Sequence, residues 1–378
     1  MIRHRTRDRN IIFITALLAI VAVSCGVSSF TTSASDFRVD TITDGLENPW
    51  DMVFLPTGGI LVTERTGALR LISSGKLVDT AIGGLPRIKQ HGQGGLMGIA
   101  LHPDFARNRL VYLSYAGRGR GGYSTEVLRA RFDGANLHDI EIIFRARPKV
   151  RGGRHFGGCL LFDDQGYLFI SLGERGEDDD AQDLSNHSGS LIRLQDDGSV
   201  PANNPFAELS DVAPGIYTRG NRNIQGLVLH PVTGEVWTHE HGPRGGDEVN
   251  IMHAGENYGW PVITYGRNYV IGTKIGEGTH KPGMVQPIYK WVPSIAPSGM
   301  AFYEGDKFPD WRGDLFVGSL KFGLLVRLEI KGNEIVTEER LLGGKYGRIR
   351  NVVEGPDGYI YLLTDQANGK LLRLMPNE

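Results

Sequence analysis

The chain has 378 residues, with 52 Gly, 18 Pro, charged residues at 22% and a formal net charge of −2. No bulk field directs it to nucleic acid, and the length allows one large domain or two ordinary ones. So many Gly and Pro, with few long helical patterns, point to an all-β fold rich in turns.

The N-terminus opens with Arg3, His4, Arg5, Arg7 and Arg9. The apolar run Ile11 to Val23 follows and is short for a bilayer span. The small residues Ala22-Val23-Ser24 come next. This reads as a secretory signal over residues 1–25, followed by a linker over 26–36 and one domain over 37–378. Cys25 stands where bacterial lipoprotein signals carry their lipidated cysteine, although Ala22 replaces the usual Leu. A lipid-anchored surface protein and a free periplasmic protein both stay open, and export is expected in either case. With Cys25 lipidated or removed, Cys159 has no disulfide partner. In GGCLLF it is expected to pack as a small apolar residue.

Six segments then repeat one pattern: a polar or Gly opening, an apolar strand, a Pro or Asp turn, and a second apolar strand. They read NPWDMVFLPTGGILVTE from Asn48, QGGLMGIALHPDF with RLVYLSY from Gln93, and HFGGCLLFDDQGYLFISLGE from His155. The others are NIQGLVLHPVTGEVWTHEHGP from Asn223, PSGMAFYEG with GDLFVGSLK from Pro297, and RNVVEGPDGYIYLLTD from Arg350. Starts lie about 45 to 75 residues apart, the blade spacing of a β-propeller. Further strand pairs fill the intervals. FRVDTITDG, from Phe37, is placed to add a strand to the last blade. The expected fold is all-β, a six-bladed propeller with four-stranded antiparallel blades.

In such a fold each blade's first strand runs along the central channel, so the residues just before it gather at one mouth. The second strand runs back and ends at the same mouth. These two phases collect Asn48, Gln93, His155, Arg222, Asn223, Arg348 and Arg350 with Glu174, His241-Gly242-Pro243 and Lys321. Arg222, Lys321, Arg348 and Arg350 are four fixed cations around one histidine. Their mutual repulsion costs stability unless an anion sits among them. The mouth therefore reads as a cup for a small polyanion. His155 lies in GGRHFGG, whose glycines are expected to let a ligand approach closely.

The segments GQGGLMGIALHPDF, GGRHFGG, IYTRGNRNIQGL, HEHGPRGGDEVN, GENYGWP, SLKFG and GRIRNV, in this order, resemble the soluble aldose (glucose) dehydrogenases that use pyrroloquinoline quinone, PQQ. The resemblance covers roughly residues 37 to 376 and implies a six-bladed propeller. PQQ is a flat ortho-quinone with three carboxylates. By resemblance Gln93, Arg222, Asn223, Lys321, Arg348 and Arg350 would hold it, the arginines through bidentate forks. The family places Ca2+ against the quinone, and the carbonyls of Gly242 and Pro243 match its ligands. A second Ca2+ site is implied at Glu248 and Tyr258, the tyrosine through its backbone oxygen, with Asp247 nearby. His155 matches the catalytic base, taking the anomeric proton as hydride leaves C1 for the quinone and an aldonolactone forms. Neighbouring cations, Arg154 among them, would keep it neutral.

The chain lacks the long insertions of the glucose-specific dimeric branch, so a monomer of the compact aldose branch is expected. The partners implied are an aldose and an external electron acceptor, with no membrane contact beyond an N-terminal anchor. Two other functions compete: a calcium-dependent six-bladed lactonase, and a non-catalytic ligand-binding propeller sharing the fold. GRGRGG at 117–122 fits a dinucleotide fingerprint. However, STEVLRARF after it alternates like a strand and does not open the helix that pyrophosphate binding needs. EDDD at 177–180 is expected to be a solvated loop.

Overall fold

The computed structural model describes residues 37–377. The expected signal segment, Cys25 and the 26–36 linker lie outside them. Six four-stranded antiparallel sheets make up the fold. Blade 1 holds Pro49–Phe54, Ile60–Glu64, Leu69–Ser73 and Lys76–Leu77. Blade 2 begins at Leu96–Leu101, blade 3 at Leu160–Phe162 and blade 4 at Ile224–Leu229. Blade 5 begins at Pro297–Phe302 and blade 6 at Ile349–Glu354. First strands of neighbouring blades face one another around the axis.

Phe37–Leu46 is the outer strand of blade 6. It pairs antiparallel with Gly369–Pro376 in a register running from Phe37↔Pro376 to Leu46↔Gly369. The ring is thus closed by the two ends of the described chain, as FRVDTITDG suggested. GRGRGG is the tip of a hairpin between Leu110–Gly119 and Gly122–Phe132, with no helix behind it.

The second strands carry the core. Leu61 and Val62, Leu168 and Ile170, and Leu362 and Leu363 are all fully buried. Adjacent residues serve different inter-blade layers, as Leu61 and Val62 or Leu362 and Leu363 do, whereas Leu168 and Ile170, two apart, share one and Phe169 between them serves the other. Trp237 is fully buried between blades 4 and 5, edge-on to Phe302 at 5.4 Å between ring centroids. In every blade but the third, the register between first and second strands shifts near the mouth. Such bulges re-aim side chains at the end of a ladder. Near these bulges the axis is narrow: a Cβ on Gly299 would lie 2.7 Å from the Asn351 backbone.

Removing residues 37–46 leaves blade 6 with three strands and uncovers its buried Leu371, Leu372 and Leu374 edge. An open apolar edge of this kind is an aggregation template. The truncated chain is expected to lose its single cooperative melting transition in calorimetry and to elute as aggregate on gel filtration.

Candidate active site

A cavity of about 810 Å³ opens at the mouth where the first strands begin. Gln93, Asn223, Pro243, Lys321, Arg348 and Arg350 line it, as the repeat phases predict. Trp50, Arg65 and Tyr269 line it as well and were not foreseen. Arg65 directly follows the second strand of blade 1 and Asp365 directly follows that of blade 6. The phase rule that found Lys321 and His241 finds both when applied to all six blades. Tyr269 sits in the long connection between Met252 and Tyr289, which has no periodic signal.

His155 lies in the connection that leads into the first strand of blade 3. It is 7% exposed, and its backbone φ is +52°. A non-Gly residue is held in this left-handed region only when its surroundings over-determine it. Its amide donates to Gln93 Oε1 at 2.8 Å, and the preceding Arg154 carbonyl accepts from Arg175 Nη1. Arg175 also donates to the Gly152 carbonyl at 2.6 Å and lies 3.3 Å over the Phe156 ring. The flanking glycines answer a backbone need first. Gly157 has φ +61°, and a Cβ there would lie 2.5 Å from the Ser171 carbonyl. At Gly157 that space is taken by the blade's own second strand, and at Gly153 and Gly158 by the Gly92 backbone and the Met97 side chain.

The imidazole is oriented by Glu174, whose carboxylate lies 2.6 and 2.8 Å from Nδ1. Glu174 is fully buried, and its own amide is fixed to the Arg222 carbonyl at 3.0 Å. With Glu174 ionised, Nδ1 carries the proton. Nε2, which bonds to no described residue, is the open nitrogen. Burial first, then Arg222 and Arg154, push the His155 pKa down to about 3. Burial, which the sequence argument did not weigh, is thus the leading cause of its neutrality. Burial also pushes Glu174 up to about 7. Asp178, within the EDDD run, hydrogen-bonds to Glu174 and is raised by its own burial. That acid belongs to the site's network and is not merely a solvated loop residue.

The cationic cup holds an acid of the chain's own, which the residues collected from the repeat phases did not include. Asp365 already sits among the cations: Arg348 and Arg350 donate to its Oδ2 at 3.2 and 3.0 Å, and Arg65 lies 3.7 Å from Oδ1. Burial raises the Asp365 carboxyl, but Arg350, Arg65 and Arg348 outweigh it and hold the pKa at about 2. One carboxylate against three guanidiniums still leaves an excess of positive charge. Arg65, Arg222 and Arg350 each keep a buried Nε with no partner among the described residues. Such orphaned donors point to a missing acceptor. Lys321 is exposed and is not ion-paired among the described residues. A polycarboxylate therefore fits this cavity.

Arg222 is placed differently from expectation. It is 6% exposed, lies 5.1 Å from the Trp260 ring, and donates through Nη1 to the carbonyls of His241 and Gly242 at 3.0 Å each. It lines a second, small cavity with Gly242, Glu248 and Tyr258 rather than the large one. The expected metal residues are thus split, Pro243 on the large cavity and the other three on the small one. The Pro243 carbonyl accepts no hydrogen bond among the described residues, whereas a cation on the Gly242 oxygen would compete with Arg222.

The small cavity has a cation's chemistry. Glu240, which sequence reasoning missed, stands directly opposite Glu248 on the paired strand. Like charges so placed are unfavourable. Burial pushes both carboxyls up, and Glu240 raises Glu248 further. The Tyr258 hydroxyl is committed to the Ile251 carbonyl at 2.6 Å, and its own carbonyl accepts no bond among the described residues. That oxygen suits the backbone role expected of it. Asp247 is structural: Oδ1 accepts from the Gly242 amide and Oδ2 from the Ile295 and Ala296 amides. Cys159 packs in an apolar layer with Phe169 and Leu227, and burial pushes its thiol up to about 12.

Asp365→Ala leaves three guanidiniums facing one another. Urea melts are expected to show a loss of about 3 kcal/mol, partly recovered when a tricarboxylate such as citrate is added.

The glucose/sorbosone dehydrogenase family model matches residues 46–373. The aldose sugar dehydrogenase YliI of Escherichia coli K12 is 42% identical over 363 residues, covering 94% of this chain and 98% of that one. The crystal structure of the soluble aldose sugar dehydrogenase of Escherichia coli in the apo form is 44% identical with a TM-score of 0.88, over 90% of this chain and all of that one. The PQQ-bound aldose sugar dehydrogenase of Streptomyces coelicolor is 27% identical with a TM-score of 0.74, over 91% of this chain and all of that one. The chain is an oxidoreductase and belongs to the glucose/sorbosone dehydrogenase family.

Proposed function

We propose that the protein oxidises aldose sugars at C1 to aldonolactones with PQQ and Ca2+, passing electrons to an external acceptor. The observation that carries this reading is the pairing of His155 with Glu174 beside a cavity of orphaned guanidinium donors. PQQ, when bound, supplies an ortho-quinone able to take up hydride from the sugar.

The chain's own groups do the rest. Arg348, Arg350 and Lys321, with the Gln93 amide, hold the cofactor's carboxylates and carbonyls. The Gln93 side chain faces both ways: its oxygen accepts the His155 amide, which turns its NH2 toward the cavity. Asn223 is anchored through Oδ1 to the Gly157 amide at 3.1 Å, so its amide nitrogen is the group left for the ligand. Arg222 stands behind them with Trp260 and adds positive charge that the low-dielectric setting preserves. His155 Nε2 takes the proton of the anomeric hydroxyl, and Glu174 keeps the opposite Nδ1–H in place and stabilises the imidazolium that forms. The Pro243 and Gly242 carbonyls would hold one Ca2+, for which Arg222 would have to leave the Gly242 oxygen, and Glu248 with Glu240 would hold a second, whose charge would offset their repulsion.

Purified residues 26–378 with PQQ and Ca2+ are expected to reduce a dye only when an aldose is present. His155→Ala is expected to bind PQQ unchanged by absorbance titration and to lose about 10²–10⁴ in kcat. An unaltered rate in that variant would remove His155 from the mechanism.

The pH profile follows from the pair. Glu174 accepts the Nδ1 proton only as carboxylate, the form present above its raised pKa of about 7. As pH falls through that value the carboxyl protonates, and the support is lost. The kcat/KM profile is expected to fall about tenfold per unit below roughly pH 7. Glu174→Gln is expected to abolish that acid limb and lower the plateau about a hundredfold, read from the same steady-state series.

A further inference from the structure

Three segments meet beside His155 and carry five exposed cations, of which only Arg154 bears on the site, by disfavouring the charged form of His155. The loop before Gln93 bears Lys89, the blade 2 hairpin tip bears Arg118 and Arg120, and the connection leading into the site bears Arg151 and Arg154. All five are exposed, and none makes an ion pair or a side-chain hydrogen bond among the described residues. Their backbones are knit together. Tyr123 and Val150 exchange hydrogen bonds of 2.9 and 3.1 Å. His91 stacks on Tyr123 at 3.9 Å, and its Nε2 lies 3.0 Å from the Arg151 carbonyl. The Gln93 amide donates to the Gly153 carbonyl at 2.7 Å. The result is one rigid ledge whose inner edge is Gln93 and His155.

Such a ledge is unexpected on a chain of net charge −2. Elsewhere on this surface arginines find acids: Arg129 pairs with Glu141 at 2.9 Å and Arg327 with Asp314 at 2.6 Å. Nearby, Glu126 is buried and is taken by Lys149 at 2.5 Å and by Tyr115 at 2.7 Å, so it does not offset the ledge. The acids at 177–179 mark its limit beyond Arg154, whose guanidinium lies against Gly176. Like charges within a Debye length of about 8 Å repel, so an uncompensated cluster raises the local potential and steers an anionic partner.

We propose that this ledge is the docking surface for an acidic electron-carrier protein. The inference rests on the dehydrogenase reading, since it gives the carrier its reason to bind at this rim. Each aldose oxidised yields two electrons and two protons. Two one-electron carriers are reduced in succession, and the protons leave to water. A carrier seated on Lys89, Arg118, Arg120 and Arg151 covers the cavity's rim at Gln93 and Phe156, next to His155.

The test uses the PQQ- and Ca2+-loaded protein with an acidic and a basic c-type cytochrome of similar potential, plus an uncharged dye. The acidic cytochrome is expected to be reduced with a rate constant that falls steeply with salt. Arg118→Glu/Arg120→Glu/Arg151→Glu is expected to lower it at least tenfold at low salt and flatten the salt dependence, with dye reduction unchanged. Arg120→Glu alone gives a smaller loss in the same direction and serves if the triple variant does not fold. Equal, salt-independent reduction of both cytochromes overturns the proposal, as does an unaffected triple variant. Binding of the acidic cytochrome to the cofactor-free protein, by calorimetry at low salt, decides the surface without turnover. If dye reduction fails while that binding is present and charge-dependent, the dehydrogenase reading falls and the surface stands. Binding to phosphatidylglycerol vesicles with none to the acidic cytochrome would make the ledge a membrane surface and overturn the proposal.

Discussion

The pairing of Phe37–Leu46 with Gly369–Pro376 is the constraint on which the molecule depends. A propeller ring has no fixed angle between blades until its last sheet is completed. Once that sheet holds four strands, the six first strands face one another around the axis and their starting residues share one mouth. Gln93, His155, Asn223 and Arg348 are far apart in sequence, and no local structure brings them together. The site is a product of closure. Its groups sit on loops, where function concentrates, while the second strands bury the residues that keep those loops in position.

Electrostatics then divide the mouth into three parts. On one side Asp365 gathers Arg65, Arg348 and Arg350 and leaves a positive remainder. On another, Glu174 is buried against a neutral His155 whose charging is opposed by burial and by Arg222. On the third, Glu240 and Glu248 face each other with no cation among the described residues between them. These are three different answers to the cost of burying charge. A cluster is partly offset by one counter-ion, an ionisable group is kept neutral, and two acids are kept side by side, Glu240 with both oxygens hydrogen-bonded by Asn221 and by the Arg222 and Asn223 amides. Arg222 joins the second and third parts: its carbonyl takes the Glu174 amide, its amide donates to Glu240 Oε2, and its guanidinium is held by the Gly242 carbonyl.

Much of this was legible in the sequence because the repeat has a phase. Counting from each apolar strand located His155, Lys321 and Arg350, and the same count reaches Arg65 and Asp365 when applied without selection. Three features were not legible. The positive φ of His155 is imposed by contacts from Gln93, Arg175 and the neighbouring blade, none of which is local in sequence. The Glu240–Glu248 pair depends on strand register, which a hairpin of irregular length does not announce. Tyr269 arrives on a connection with no period at all. The glycines of GGRHFGG were readable as special but not as to purpose, since composition does not tell a close backbone neighbour from an approaching ligand.

The closing strand has a mechanical meaning too. Phe37 lies opposite Pro376, so both ends of the described chain leave the ring at the same corner of blade 6. A force drawing those ends apart acts across the ladder and opens it one rung at a time, beginning at Phe37. It does not shear all the rungs together. The ring is therefore resistant to collapse but easily unzipped at one seam, and any cargo or tether fused to either end would hang from that seam.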